Sequence, residues 1–351
     1  MKKLILSTAL VGSLVSGMSV ANAATSITGN LAISYFATSN DSAASVSTSK
    51  SYNGFGSESQ INLAASGDLN NGLKYAAGFS WEIDGTEQLG GSDKDNFNAS
   101  HEGTYIEFIS GNTTVGVGAD RDTSIDGLGV NFVGFGYRPI SGVGTSLSNT
   151  SYGTNTAFGF GARQKFDAGT VSFFYAPNSN PASTGYSLTQ DIGNSASKAN
   201  IDNGENYYSI TYAGALSGVN VKAGLNQQTG VSGNTDAKNH GVQVDTSFGK
   251  TKVGISRGKS DSSVVVGAAK STKTTTEVGV AHALSDTVSA GLTYTQAAAS
   301  TVSNDEIIIT ASLGYNLGPV SVQLQFKDAT DIGGTTGLDA QQLGMYIGTK
   351  F

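Results

Sequence analysis

The chain has 351 residues, with 47 glycines, no cysteine, 13% charged and 38% hydrophobic residues, and a formal charge of −7. The missing cysteine excludes a disulfide framework, a thiolate metal site and a cysteine nucleophile, and an acidic chain without a basic stripe excludes a nucleic-acid partner. Polarity comes from Gly, Ser, Thr, Asn and Gln, a mixture that disfavours coiled coils and helical membrane proteins and suits strands with one polar face and tight turns.

Residues 1–23 read as a cleaved signal peptide: Lys2 and Lys3 precede an apolar run to Val20, and Ala21-Asn22-Ala23 offers cleavage between Ala23 and Ala24. Without Lys2 and Lys3 the remaining chain, 24–351, is more acidic by two charges, at −9. No later segment approaches the ~18–20 apolar residues of a spanning helix.

The rest is a succession of segments alternating at period two, the signature of strands whose side chains point to opposite faces. They lie near 26–36, 56–67, 72–82, 101–110, 112–118, 155–166, 169–176 and 205–213. A second eight follow near 218–227, 238–248, 250–257, 274–283, 286–297, 305–316, 319–327 and 341–351. In 72–82, Leu73, Tyr75, Ala77, Phe79 and Trp81 share one face, and Lys74, Ala76, Gly78, Ser80 and Glu82 the other. In 319–327, Val320, Val322, Leu324 and Phe326 oppose Ser321, Gln323, Gln325 and Lys327.

The connectors alternate strictly between short and long. Short ones carry turn residues, as in Gly67-Asp68-Leu69-Asn70-Asn71 and Leu317-Gly318-Pro319; the long ones cover about 37–55, 83–100, 119–154, 177–204, 228–237, 258–273, 298–304 and 328–340. That rhythm predicts an all-β fold: a 16-stranded antiparallel transmembrane β-barrel in one domain, with short periplasmic turns and eight long extracellular loops. A barrel of that count leaves an aqueous lumen. Soluble sandwiches share the alternation, but not the combination of signal, rhythm and chain end.

Period two places Lys74, Arg163, Lys165, Lys222 and Lys252 opposite the apolar face of their strands, with Glu82, Glu107, Gln243, Asp245, Gln323 and Gln325, so these are the predicted lumen wall. Trp81, Tyr105, Phe108, Phe166, Tyr207, Tyr212, Phe248, Tyr294 and Tyr315 fall near strand ends, where barrels carry aromatic girdles.

The last segment, QQLGMYIGTKF, alternates and stops on Phe351. This ending and the layout resemble Gram-negative outer-membrane general-diffusion porins, most closely the 16-stranded trimeric porins of alphaproteobacteria. Thr349 stands where many members have an aromatic. The resemblance implies that Phe351 is read by the barrel-assembly machinery, that the chain forms a homotrimer in the bacterial outer membrane among lipid and lipopolysaccharide, and that small polar solutes and ions cross it passively. It also implies that the third long loop, 119–154, folds inward as the constriction. That loop holds Asp120, Arg121, Asp122, Asp126 and Arg138. Acids on the loop facing bases on the wall would set up a transverse field favouring dipolar solutes, and rings of charge tune ion preference. The net acidity leans towards cations.

No catalytic residues and no cofactor are expected. Gly254-Ile255-Ser256-Arg257-Gly258 matches G-x-S-x-G but lacks the strand–turn–helix context of a nucleophile elbow, and His101, His240 and His282 lack metal spacing. No dedicated metal site is expected, although acidic loop residues such as Asp93, Asp95, Asp328 and Asp331 could bind Ca2+ bridging lipopolysaccharide. A solute-selective porin and a non-conducting surface or adhesin barrel are the alternatives; sugar selectivity would call for lumen aromatics, and the polar face shows mainly Tyr105 and Tyr346.

Overall fold

The computed structural model describes residues 24–40, 52–69, 72–86, 96–118, 128–133, 159–176, 206–229, 236–263, 271–300 and 302–351. Sixteen strands run through them. The first eight are β1 (Ala24–Asn40), β2 (Tyr52–Asp68), β3 (Lys74–Thr86), β4 (Asn96–Ser110), β5 (Thr113–Gly118), β6 (Gly159–Phe166), β7 (Gly169–Ala176) and β8 (Asn206–Leu216). They are followed by β9 (Val219–Thr229), β10 (Asp236–Phe248), β11 (Thr251–Ser263), β12 (Ser271–Ala283), β13 (Val288–Ala299), β14 (Glu306–Leu317), β15 (Val320–Thr330) and β16 (Ala340–Lys350). Each pairs antiparallel with its sequence neighbours, and β1 with β16 closes the barrel. Closure gives every strand a hydrogen-bonded partner on both sides, the condition for a sheet to stand in lipid.

Each predicted segment is a strand, and many of the strands, though not β5–β8 or β14, run further at their extracellular ends. β11 reaches Ser263 where alternation stops at 257, and β4 begins at Asn96, not 101. A thirteen-residue strand such as β11, tilted ~40°, climbs about 33 Å, more than the ~25 Å apolar band. Beyond the band both faces meet water. Lys259-Ser260-Asp261-Ser262-Ser263 is therefore polar throughout, yet its backbone ladder with β10 continues to Asp236–Ser263. The long connectors shorten accordingly. The predicted leader, including Ala23, lies outside the described residues, and Ala24 opens β1.

The two faces separate by chemistry. Outside stand Ile33, Phe79, Trp81, Phe108, Val117, Phe160, Phe173, Ile210, Val278, Leu292, Ile309 and Leu324, all well exposed. Phe108, Phe166, Phe248, Tyr315 and Phe351 mark the periplasmic rim of this face, and Phe248 and Phe351 are 68% and 65% exposed. Phe351 continues the closing ladder by reciprocal backbone hydrogen bonds with Gly29 of 2.9 and 3.0 Å. Its ring occupies the space that a Cβ on Gly29 would need, 2.5 Å away.

Two predicted girdle residues face inward: Tyr207, and Tyr105, which period two also puts on the polar face. Tyr207 is buried, paired across from Ala176 on the inner face. Tyr105 sits opposite Gly78, inside, and β4 carries a bulge at Gly103 (φ 60°) between the pairs Gly78–Tyr105 and Ser80–Glu102. The extra residue flips the parity of the strand beyond it.

Candidate functional site: the lumen and the segment seated in it

The inner face is polar, and on β10–β15 much of it is buried: Gln243, Asp245, Ser256, Thr275, Glu277, Thr293, Thr295, Thr310, Ser312, Gln325 and Lys327. Part of the cover is residues 128–133 of the third long connector, which lie inside the barrel against β10–β14. Val130 is fully buried, and Leu128 and Val133 nearly so.

The seat is made of glycine. Gly254 on β11 and Gly279 on β12 are paired directly, and Gly291 on β13 and Gly314 on β14 follow along the inner face. A Cβ on Gly279 would stand 2.0 Å from the Val130 carbonyl oxygen, and one on Gly254 2.9 Å from the Phe132 ring and 3.0 Å from Val130. At Gly291 and Gly314 the nearest Val133 atoms would be 3.1 and 3.2 Å away. Contacts under 3.0 Å force something to move, so the backbone approach at Gly279 admits no side chain.

Polar side chains satisfy the seated backbone, as a buried segment requires. The Gly129 N–H donates to Gln243 Oε1 at 2.9 Å, and the Val130 N–H to Glu277 Oε2 at 3.3 Å. Gln243 in turn donates through Nε2 to Asp245 Oδ1 at 2.9 Å. Asp245 also accepts from Asn220 at 2.8 Å and pairs with Lys252 Nζ at 3.0 Å. The Lys252 ammonium lies 4.3 Å from the centre of the Phe132 ring, a cation–π distance. Glu277 is held by Ser256 (3.2 Å) and Thr295 (3.4 Å). Hydrogen bonds to charged groups contribute ~1.5–3 kcal/mol each.

The eighth connector also turns towards the wall. Ile332 in the 3-10 turn Ile332–Gly334 packs with Ile308, Ala329 and Ala340, and the Gly333 N–H donates to Glu306 Oε2 at 3.3 Å. Asp331, one of the candidate Ca2+ residues, accepts from the Gly337 N–H (2.8 Å) and Asn304 (3.3 Å), and Asp328 accepts from Gln341 (3.1 Å). Asp93 and Asp95 lie outside the described residues, and no group of three metal-ligating side chains gathers among the described ones.

By pairing parity the sequence-predicted wall residues face the lumen. Lys74 lies 3.9 Å from Asp68, both exposed. Arg163 is 2.5 Å from the buried Glu107. Lys165 and Lys222 are exposed on the inner face of β6 and β9, and Glu82 is half-buried on β3. The loop charges Asp120, Arg121, Asp122, Asp126 and Arg138 lie outside the described residues. Residues that sequence reading missed are Glu277 and the four glycines. Glycine on the polar face of alternating segments is the only local signal, and it gains meaning once register lines the four up.

An apolar outer belt, a polar inner face and a segment drawn inside define a channel-forming outer-membrane barrel. The chain belongs to the Gram-negative porin family, which matches residues 7–334. It is an outer-membrane porin channel of Gram-negative bacteria. Solved structures share the fold. The anion-selective porin from Comamonas acidovorans aligns with a TM-score of 0.68 at 15% identity, covering 94% of this chain and 100% of that one. OmpT of Vibrio cholerae aligns at 0.65 and 12%, covering 95% and 99%. OmpF of Salmonella typhi, solved with daunomycin, aligns at 0.61 and 15%, covering 93% and 97%. No curated protein matches the chain.

Proposed function

We propose that this porin is a general-diffusion channel, passing small hydrophilic solutes and ions without catalysis, with its bore set by the third connector. The observation that carries this reading is the seating of residues 128–133 inside a lumen lined by Gly, Ser, Thr, Gln and paired charges. In this reading Asp120, Arg121, Asp122, Asp126 and Arg138, on either side of the seated segment in sequence, complete the narrow zone opposite Arg163, Lys165 and Lys222. Among the described residues the inner-face aromatics, Phe36, Tyr105, Phe174, Tyr207 and Tyr346, are spread over five strands and form no run along the axis, which favours breadth over sugar selectivity.

The channel works as a homotrimer, a state named for one Vibrio cholerae OmpT structure that shares its fold. Phe351, at the closing seam and exposed at the periplasmic rim, is the residue offered to the barrel-assembly machinery. On the outer wall, Lys238, His240, Arg257 and Lys259 stand in the extracellular half of β10 and β11. They suit the phosphates of lipopolysaccharide, and acidic extracellular residues suit Ca2+ bridging those phosphates.

Single-channel recording of the mature protein in a planar bilayer tests the proposal. Large ohmic steps in groups of three, with weak ion preference in a salt gradient, are expected. A folded, heat-modifiable barrel that carries no current would overturn it.

A further inference from the structure

The lumen charges are sorted along the pore axis. Six inward-facing bases lie within four residues of a periplasmic strand end: Lys74 opening β3, Arg163 and Lys165 ending β6, Lys222 and Lys252 opening β9 and β11, and Lys350 ending β16. Three acids share that zone, Asp68, Glu107 and Asp245, which pair with Lys74, Arg163 and Lys252. The periplasmic end is therefore net basic.

Among the described residues the inner face of the extracellular half has the opposite sign. Glu58 and Glu82 face inward eight or more residues above the turn joining β2 to β3. Glu277 and Glu306 face inward too, near Lys327 and Lys273, which offset them. What matters is each end's sum, which pairing within that end leaves unchanged.

We infer that this porin is a bipolar pore: acidic at its extracellular half, basic at its periplasmic end, and so a rectifier of ionic current. The inference rests on the diffusion-channel reading above. In the acidic zone cations are the main carriers, in the basic zone anions. With the extracellular side positive, cations enter through the acidic end and anions through the basic end. Both accumulate in the lumen and current rises. With the opposite sign both are drawn out and the lumen is depleted. The effect requires a Debye length comparable to the lumen radius, ~10 Å at 0.1 M salt, and fades as that length falls to ~3 Å at 1 M.

The test is the current–voltage curve of the mature protein in a planar bilayer. Orientation is fixed by a biotin on Ser285→Cys, the only cysteine in the chain, which avidin in one chamber then marks. At about 100 mV and ~0.1 M KCl the current is expected to be about 1.5-fold or more larger with the extracellular side positive, and nearly symmetric at ~1 M. Lys165→Glu with Lys222→Glu makes the lumen acidic throughout. It should bring the ratio near unity and raise cation preference, while Lys250→Glu, in the turn outside the lumen, leaves the ratio unchanged. Equal currents at both polarities in low salt from open channels overturn the bipolar pore and leave the diffusion channel standing. Retained rectification in the double variant, folded by heat-modifiability, also overturns it. Absence of current at either polarity sinks the diffusion channel itself.

Discussion

At the scale of single residues, the seat of residues 128–133 depends on volumes as small as a hydrogen atom. Gly279 lies under the Val130 carbonyl so closely that a Cβ would stand 2.0 Å from its oxygen. Gly279→Val should lift residues 128–133 from the wall. Single-channel conductance should rise, with the barrel still heat-modifiable because the β11–β12 and β12–β13 ladders use backbone only. Unchanged conductance would mean that the seated segment does not limit flow. Glu277→Ala acts on the same contact from the other side. It removes a charged acceptor worth ~1.5–3 kcal/mol, and noisier, partly open events are expected in place of stable steps. Sequence alone placed the wall charges on the polar face, because period two is a local signal. Glu277, Gln243 and the glycines act as one seat only through register between strands, which no local pattern carries.

At the scale of the element, the strands were legible in number and order, and their limits were not. Alternation marks only the stretch of strand inside the apolar band. Above it, as in β11 from Lys259 to Ser263, hydrogen bonding persists while the pattern is gone. The bulge in β4 was invisible for a different reason. One extra residue at Gly103 shifts the pairing from Tyr105 opposite Gly78 to Glu102 opposite Ser80, so the period-two count that puts Tyr105 and Glu107 on the inner face does not carry past Gly103. Gly103 has φ 60°, where a β-branched residue is strained by ~1–2 kcal/mol. Gly103→Val should therefore lower the temperature at which the barrel loses its compact gel mobility. A variant as heat-resistant as the parent would show that the bulge adapts without a left-handed residue.

At the scale of the molecule, everything depends on a seam between the two ends of the chain. β1 and β16 pair from Asn30–Lys350 to Asn40–Ala340, and Phe351 adds two further hydrogen bonds with Gly29. Deleting Phe351 removes those bonds and the exposed rim aromatic together. The yield of barrel in the outer membrane should fall sharply, while refolding in detergent suffers far less. Equal loss in both settings would assign Phe351 to closure alone, and no loss in cells would remove it from assembly. The closed topology was legible from the rhythm of short and long connectors. The inward turn of the eighth connector at Ile332 was not, since its apolar partners Ile308, Ala329 and Ala340 come from three different strands. The glycine seat has a consequence in the currency of heredity. Every single-nucleotide change that alters a glycine codon's meaning installs a bulkier residue or ends the chain. At positions 254, 279, 291 and 314 each such substitution presses on the same short stretch. If the seated segment sets the bore, as proposed above, a lineage under selection to admit or refuse a compound has four codons where one point mutation resets permeability, with the lipid-facing wall left intact.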